Sequence, residues 1–365
     1  MFKGFNKRSK ILVILVFVLL LVGLIIISSA GVIEGQKKFD DSYYFLKRQL
    51  MLGVLPGLVA FFFLSRIKHE KWRKLALFIL LGAVALTVAV FIPALGYSVK
   101  GAQRWVGIGP IAFQPSEFLK LALIIYLAAL FSKREKHMEK LSYSMAPFIF
   151  VMVFIAFLLV KQPDVGTLSL LVAIGISMYF FYGAKLSHFG IIILVCILLL
   201  ALLVWIAPYR FDRVQAFLDP EADVRGISYH INQALIGIGS GGIWGTGIGL
   251  SQQKLNYLPE PVGDSIFAIL VEETGFIGGV VVVGLFLALN MLLISIAKDA
   301  KNRFGQLFVL GMAVWISGQA FMNMAALIGL MPLTGIPLPF ISFGNSALVS
   351  LMAGLGIVVN ISNQS

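Results

Sequence analysis

The 365-residue sequence is 59% hydrophobic and only 13% charged, with a formal net charge of +12. Because a soluble domain carries about 25% charged residues, this composition excludes a water-soluble globule. The basic residues lie in short connections between apolar runs, as is typical of membrane proteins, so we expect no nucleic-acid partner. The single cysteine, Cys196, excludes an internal disulfide and is interpreted as a small buried or lipid-facing residue.

Successive apolar runs along the chain are compatible with helices that cross the hydrocarbon core of a membrane. They cover residues 11–31, 49–65, 74–96, 116–131, 144–160, 165–183, 187–207, 266–297, 304–331 and 342–360. The first run is too long for the core of a signal peptide and is interpreted as a retained helix. The pattern predicts an all-α integral membrane fold of about ten transmembrane helices, forming one polytopic domain over residues 1–365.

The distribution of lysine and arginine between the connections predicts the orientation. With the N-terminus in the cytoplasm, most basic residues of the short connections fall inside, and an even number of spans returns the C-terminus to the cytoplasm. Two outer connections are long, at residues 97–115 and at about 208–265. The second is a long extracytoplasmic loop between predicted helices 7 and 8, and its length indicates a functional element. Its spaced aromatic and apolar residues predict short amphipathic helices on the membrane surface.

Ionisable residues in or beside the apolar runs are functional candidates, because a charge at the bilayer centre costs about 2.5–3.5 kcal/mol. Glu117 and Lys120 share one helix face, either as a structural ion pair or as a polar cavity wall. Asp164 lies between two runs, either as a helix N-cap or as a cavity carboxylate. Asp264 precedes the eighth run, where it is either a helix cap or a reactive carboxylate.

Three further features have mainly structural interpretations. Glu272 and Glu273 lie within the eighth run and are interpreted as hydrogen-bonding groups in helix packing. The glycine-rich stretch 237–249 lacks the flanking strand and the Gly-Lys-Ser/Thr ending of nucleotide sites, so a tight re-entrant or interfacial loop is favoured. The turn at 334–344 contains two prolines and is expected to line a cavity or to form a simple tight connection.

The predicted orientation places the two long connections, Asp164 and the final turn on the outer face. We therefore expect carboxylates from distant segments to surround one membrane-embedded pocket, together with Arg104, Arg210 and Arg213. This convergence is stronger evidence for a functional site than any single residue.

Five dispersed motifs carry a resemblance to a known family. They are GAQRW at 101–105, QPSEF at 114–118, QPDVGT at 162–167, LPEPVGD at 258–264 and TGIPLPFISFG at 334–344. In this order they resemble the SEDS family, whose members FtsW, RodA and SpoVE serve bacterial division, elongation and sporulation. The last motif and residues 356–362 are more similar to FtsW than to RodA. The chain departs from the family pattern at Asn345, where a second glycine is usual, and in the residues beside Asp264.

The resemblance implies a peptidoglycan glycosyltransferase that polymerises lipid II into glycan strands in the bacterial cytoplasmic membrane. It implies a class B penicillin-binding protein as transpeptidase partner, contacts with other division or elongation membrane proteins, and a role at the division septum. It assigns Asp264 as the catalytic carboxylate. The residues expected to bind substrate or line the cavity are Arg104, Glu117, Lys120, Asp164, Arg210, Arg213, Glu260 and Ser342. A divalent cation, Mg²⁺ or Mn²⁺, is left open as a cofactor, with no ligands assigned.

In the expected mechanism, Asp264 is the general base for a sugar hydroxyl, which displaces undecaprenyl pyrophosphate from the donor. Cations would meet the departing pyrophosphate, and the sequence does not rank the candidates. The main alternative is a flippase for the lipid-linked precursor, which needs the same cavity but no base. An ion-coupled transporter and a non-enzymatic division scaffold are further alternatives, and no inverted repeat supports the transporter.

Overall fold

The computed structural model describes residues 5–364 except 100–101, 109–110, 134–140, 184–189, 191–214, 216, 220–225 and 227. In chain order the helices are α1 (Lys7–Ala30), α2 (Val32–Phe39), α3 (Tyr44–Arg48), α4 (Leu55–Ser65), α5 (His69–Ala89), α6 (Pro115–Lys133), α7 (Leu141–Lys161), α8 (Val165–Tyr182), α9 (Tyr229–Ser240), α10 (Ile266–Lys298), α11 (Arg303–Leu327) and α12 (Asn345–Gln364). A π-helical turn, Gln49–Val54, joins α3 to α4 and makes Tyr44–Ser65 one span.

Within these described residues, eight helices are long and apolar enough to cross a membrane, and the shorter apolar helix Met145–Lys161 accompanies them. The predicted helical membrane fold is therefore confirmed. Apart from Gly190, the predicted span 187–207 lies outside the described residues. The total of ten spans and the position of the long loop after the seventh accordingly remain predictions.

The C-terminal helix α12 occupies the middle of the bundle, and it packs most extensively against α4. Glycine allows this close approach, because a Cβ at Gly356 would lie 2.5 Å from the main-chain oxygen of Phe61. On the outer side of the bundle, Val59 and Phe78 are each 70% exposed. Large exposed apolar side chains on spanning helices face lipid in a membrane. The buried core lies on the opposite side of these helices, around α12.

The connection from α5 to α6 forms a small antiparallel sheet, which the all-helical prediction did not include. Strands β1 (Gly96–Val99), β2 (Ala102–Ile108) and β3 (Ile111–Phe113) pair in the order β1-β2-β3. The register pairs Val106 with Phe113. These segments are too short to span, and pairing satisfies their main-chain groups at the edge of the membrane, where β-branched and aromatic residues favour strands.

Helix α10 is broken at Gly275, whose φ of 70° is left-handed. The glycine-rich stretch fills the break through main-chain pairing. Thr246 N donates to Glu272 O at 3.0 Å, and Phe276 N donates to Gly242 O at 2.9 Å. Groups that lose their helical partners at the break are thereby satisfied. The expected tight loop is confirmed, and its function is to pair with a spanning helix.

The connections divide between two ends of the bundle. At one end, the side chain of Asn6 donates to Ser362 O at 2.5 Å, and Arg303 donates to Tyr182 O at 3.2 Å. At the other end lie the sheet, the α7–α8 turn, the segment before α10 and the turn before α12. The segments that the sequence analysis assigned to the outer face therefore meet at one end of the helix bundle.

Candidate active site

A cavity of about 230 Å³ opens where these connections meet. It is lined by Arg104, Trp105, Gln114, Glu117, Asp164, Thr167, Glu260, Gly263, Asp264, Gly335, Ile336, Pro337, Phe343, Gly344, Ser346 and Ala347. Five of the predicted site residues are among them: Arg104, Glu117, Asp164, Glu260 and Asp264. Charged groups from four separate segments thus face one concave space, the usual character of a site that binds a polar ligand.

Asp264 lies half-buried in the turn that precedes α10. Its main-chain oxygen accepts a 2.7 Å hydrogen bond from Nδ2 of Asn323 in α11. Glu260 closes the turn in a left-handed conformation, with φ of 49°, and its oxygen accepts from Gly263 N at 3.0 Å. The suggestion that Asp264 caps the helix is wrong, because Ser265 is the N-cap residue. The Asp264 side chain instead faces the cavity.

Asp164 combines both functions that the sequence suggested. It is the N-cap of α8 and accepts from Thr167 N at 3.3 Å, while its other oxygen accepts from Gln114 Nε2 at 3.3 Å. Arg104 from β2 approaches it at 3.8 Å. The Arg104 guanidinium also donates to the oxygens of Gln162 and Pro163. These bonds hold a partly exposed cation at the rim of the cavity.

Lys120 lies behind the cavity wall and is fully buried. Its Nζ lies 2.8–2.9 Å from both carboxylate oxygens of Glu117 and 3.0 Å from Oε1 of Gln319. Trp315 donates to the same Gln319 oxygen at 2.8 Å, and Lys120 Nζ lies 5.3 Å from its ring centroid. The predicted ion pair is confirmed, with Glu117 facing the cavity and Lys120 supporting it.

Ser342 holds the final turn against the Asp264 turn. Its hydroxyl donates to Gly263 O at 2.7 Å and accepts from Leu338 N at 2.7 Å. Gln49, in the π-helical turn, accepts from Gly344 N at 3.1 Å and donates to Ser342 O at 3.4 Å. Ser342 therefore lies behind the cavity lining, which Phe343 and Gly344 provide.

Arg210 and Arg213 lie outside the described residues. Sequence reasoning missed three buried amides that hold the site together, namely Gln49, Gln319 and Asn323. Gln319 and Asn323 are four residues apart in an otherwise apolar run, and this spacing on one helix face is the signal that would have found them. Asn323 also donates to Ile336 O at 2.9 Å, and Gln319 donates to Pro337 O at 2.8 Å.

The described residues do not form an evident metal site. Nowhere among them do three histidine, cysteine, aspartate or glutamate side chains lie close enough together to hold an ion. The arrangement of Glu260 and Asp264 in one turn does not by itself supply a ligand set for Mg²⁺ or Mn²⁺.

These features define a polytopic helical membrane protein with a charged cavity at one end of its bundle. A family model described as "Cell cycle protein", FTSW_RODA_SPOVE, matches residues 10–365. The chain belongs to this family. The expected resemblance to FtsW, RodA and SpoVE is thereby confirmed.

Two relatives illustrate the similarity in sequence. Stage V sporulation protein E of Bacillus subtilis (strain 168) is 39% identical over 361 residues, covering 99% of this chain and 98% of that protein. The probable peptidoglycan glycosyltransferase FtsW of Trichlorobacter lovleyi is 39% identical over 362 residues, covering 99% of this chain and 95% of that protein.

Two solved structures share the fold. One is a chain from "Structural coordination of polymerization and crosslinking by a peptidoglycan synthase complex", with a TM-score of 0.80, 26% identity, and coverage of 99% of this chain and 98% of that one. The other is the rod shape determining protein RodA of Thermus thermophilus, with a TM-score of 0.72, 25% identity, and coverage of 98% and 97%. Several sequence relatives carry the name FtsW, in agreement with the predicted similarity to FtsW.

Proposed function

We propose that this chain is a peptidoglycan glycosyltransferase that polymerises lipid II into glycan strands, with Asp264 as the general base. The observation that carries this proposal is the placement of the Asp264 carboxylate in a charged cavity at one end of a membrane bundle. A lipid-linked sugar can keep its tail in the bilayer while its head group enters such a cavity. Its sequence relatives with the name FtsW are described as probable peptidoglycan glycosyltransferases.

In the proposed reaction, Asp264 accepts the proton of the acceptor 4-hydroxyl as its oxygen bonds to the donor anomeric carbon. The bond from that carbon to the pyrophosphate oxygen breaks, and undecaprenyl pyrophosphate leaves with the electron pair. A single displacement of this kind inverts the anomeric carbon. A positioned general base contributes typically about 10²–10⁴-fold to such a rate.

Arg104 is better placed than Lys120 to meet the charge that develops on the pyrophosphate. Its side chain lines the cavity and is 32% exposed, whereas the Lys120 side chain is fully buried and already paired with Glu117. A preorganised cation that the leaving group can contact stabilises the transition state more than one hidden behind a carboxylate. Arg210 and Arg213 remain further candidates.

The orientation proposed for the bacterial cytoplasmic membrane puts both termini in the cytoplasm and the cavity outside. Most described basic residues support it by lying at the end opposite the cavity. They are Lys7, Arg8, Lys10, Arg66, Lys68, Lys71, Arg73, Lys74, Lys133, Lys298, Lys301 and Arg303. Such an excess marks the cytoplasmic side of a membrane protein.

We also propose that the chain works with a class B penicillin-binding protein at the division septum, within a larger set of division proteins. The similar chain from a peptidoglycan synthase complex supports a cross-linking partner. The 39% identity to a relative named FtsW supports a role in division.

The decisive experiment reconstitutes the purified protein with labelled lipid II, with and without a candidate transpeptidase. Wild type should yield glycan chains on a gel, and Asp264→Asn should yield none while keeping its folded fraction. Asp41→Asn is the matched control, because Asp41 lies in a connection between spans and pairs with Lys47 at 2.8 Å. Normal polymerisation by Asp264→Asn would reject the assigned base.

Translocation of lipid II across vesicles without any polymer would favour the flippase. The same assay with an added chelator tests whether a divalent cation is required.

A further inference from the structure

A buried ionic cluster joins α1, α10 and the segment that leads to Asp264. Nζ of Lys254 lies 3.1 Å from Oε1 of Glu273, and it donates to Oγ of Ser29 at 2.9 Å and to Gly249 O at 2.6 Å. Ser29 donates in turn to the same glutamate oxygen at 2.5 Å. Lys254 is 8% exposed and Glu273 is 1% exposed, so the cluster is removed from solvent.

The neighbouring Glu272 binds the same segment of chain. Its carboxylate accepts from Gln252 N at 2.8 Å, from Gln253 N at 3.4 Å and from the hydroxyl of Ser251. Both glutamates of α10 therefore hold residues 249–254, immediately beside the break at Gly275. The expected hydrogen-bonding function of these glutamates is found, and their main partner is the loop.

The loop at residues 249–264 and the first half of α10 contact each other both at the cluster and beside Asp264. From Lys254 the chain passes through Leu258, which is 2% exposed, to Asp264 at the start of the helix. Leu258 N donates to Gln253 O at 3.0 Å, and Ser265 Oγ donates to Pro259 O at 2.6 Å. Glu273 follows Asp264 by nine residues, and it lies about 10 Å along the axis of α10 from Ile266, where the helix begins. The loop and the first turns of α10 therefore both connect the cluster to Asp264.

Apolar side chains could fill the volume of this cluster equally well. Taking two charges out of water costs several kcal/mol per ion, and a well-packed apolar pair of similar volume is often as stable. An ion pair in such a place gives directional bonds that an apolar pair lacks, and here those bonds fix the loop against α1 and α10. We propose that Ser29, Lys254 and Glu273 are positioning residues for the Asp264 carboxylate. This inference rests on the proposed glycosyltransferase function.

The test uses Ser29→Ala in the full-length protein, because it removes the link to α1 without unbalancing the charges. We expect kcat for lipid II polymerisation, per folded molecule, to fall five- to tenfold, with KM within twofold of wild type. Ser29→Thr keeps the hydroxyl and should retain most of kcat. Ser28→Ala is the matched control, since the Ser28 hydroxyl donates to Ile25 O within its own helix and should leave kcat unchanged.

A second variant, Lys254→Met with Glu273→Gln, removes both charges at once. Positioning predicts at least a tenfold loss of kcat with a folded fraction near wild type, whereas a purely structural cluster predicts normal kcat per folded molecule. Wild-type kcat in Ser29→Ala and in this double variant would overturn the inference while leaving the proposed function intact. Absence of polymer from wild type would instead overturn both.

Discussion

The side chain of Asn323 fixes the main chain of Asp264. Its Nδ2 donates to Asp264 O at 2.7 Å and to Ile336 O at 2.9 Å, and the residue is 2% exposed. One amide on α11 thereby joins the turn before α10 to the turn before α12. The cavity wall depends on this bridge, because neither turn belongs to a helix at that point.

Asn323→Ala should therefore weaken both the fold and the site. The carbonyl groups of Asp264 and Ile336 both lose their donor, and an unsatisfied buried group costs about 1–3 kcal/mol. We expect a lower midpoint of thermal unfolding in detergent and a loss of polymerisation beyond the loss of folded protein. Asn290→Ala, a half-buried amide of α10 away from the cavity, is the control. Full activity in Asn323→Ala would show that the bridge does not hold Asp264.

Gly335 faces the Asp264 carboxylate with a left-handed φ of 69°, and a Cβ placed there would lie 3.6 Å from Oδ2. Gly335→Ala should cost about 1 kcal/mol through backbone strain. Gly335→Val, which projects further, should also reduce polymerisation strongly. Gly329→Val tests the strain alone, because Gly329 has φ of 76° and its Cβ would meet only Ile231 at 4.0 Å. Equal activity losses at both positions would contradict crowding of Asp264.

Gly275 should tolerate no side chain. A Cβ there would lie 2.3 Å from Ile243 O and 2.4 Å from Gly245 N, in a left-handed conformation. Gly275→Ala must separate the loop from α10, so we expect a loss of about 3 kcal/mol or more in unfolding free energy. Gly284→Ala in the same helix meets nothing within 4 Å and should be neutral or slightly stabilising. Unfolding in detergent compares the two variants, and similar stabilities would argue against the pairing.

Lys120→Met should be more damaging than the loss of both partners. The single change leaves the Glu117 charge buried without its ion pair, which costs about 3–5 kcal/mol. Combining it with Glu117→Gln removes that charge, and most of the stability should return. Thermal unfolding of the single and double variants measures the difference. A double variant as unstable as Lys120→Met would show that other contacts dominate.

Hydropathy predicts spans because lipid demands continuous apolar helices. The predicted 116–131 and 266–297 agree closely with Pro115–Lys133 and Ile266–Lys298. The predicted ends of the helices are less accurate where the chain changes from apolar to charged residues. Helix α5 begins at His69, earlier than the apolar run, since charged residues of a first turn can reach the interface while the helix continues.

Glu117 and Lys120 were predictable because they are charged residues within an apolar run, whereas Asp264 was singled out by its position just before a span and by the family resemblance. The supporting amides Gln49 and Asn323 were not predicted, because a buried amide costs less than a buried charge and is therefore a weaker signal in an apolar sequence. The partners of Glu273 were also out of reach, since Ser29 is 244 residues away in the chain. Local patterns do not specify such distant pairs.

The central position of α12 has a consequence for biogenesis. This helix follows in chain order every helix that it packs against, including α4 and α6, and its first residues, Ser346 and Ala347, complete the cavity wall. During synthesis, the earlier helices are made before α12, so the cavity wall stays incomplete until α12 has packed against them. A chain that stops before residue 345 would therefore lack the part of the cavity wall that Ser346 and Ala347 provide.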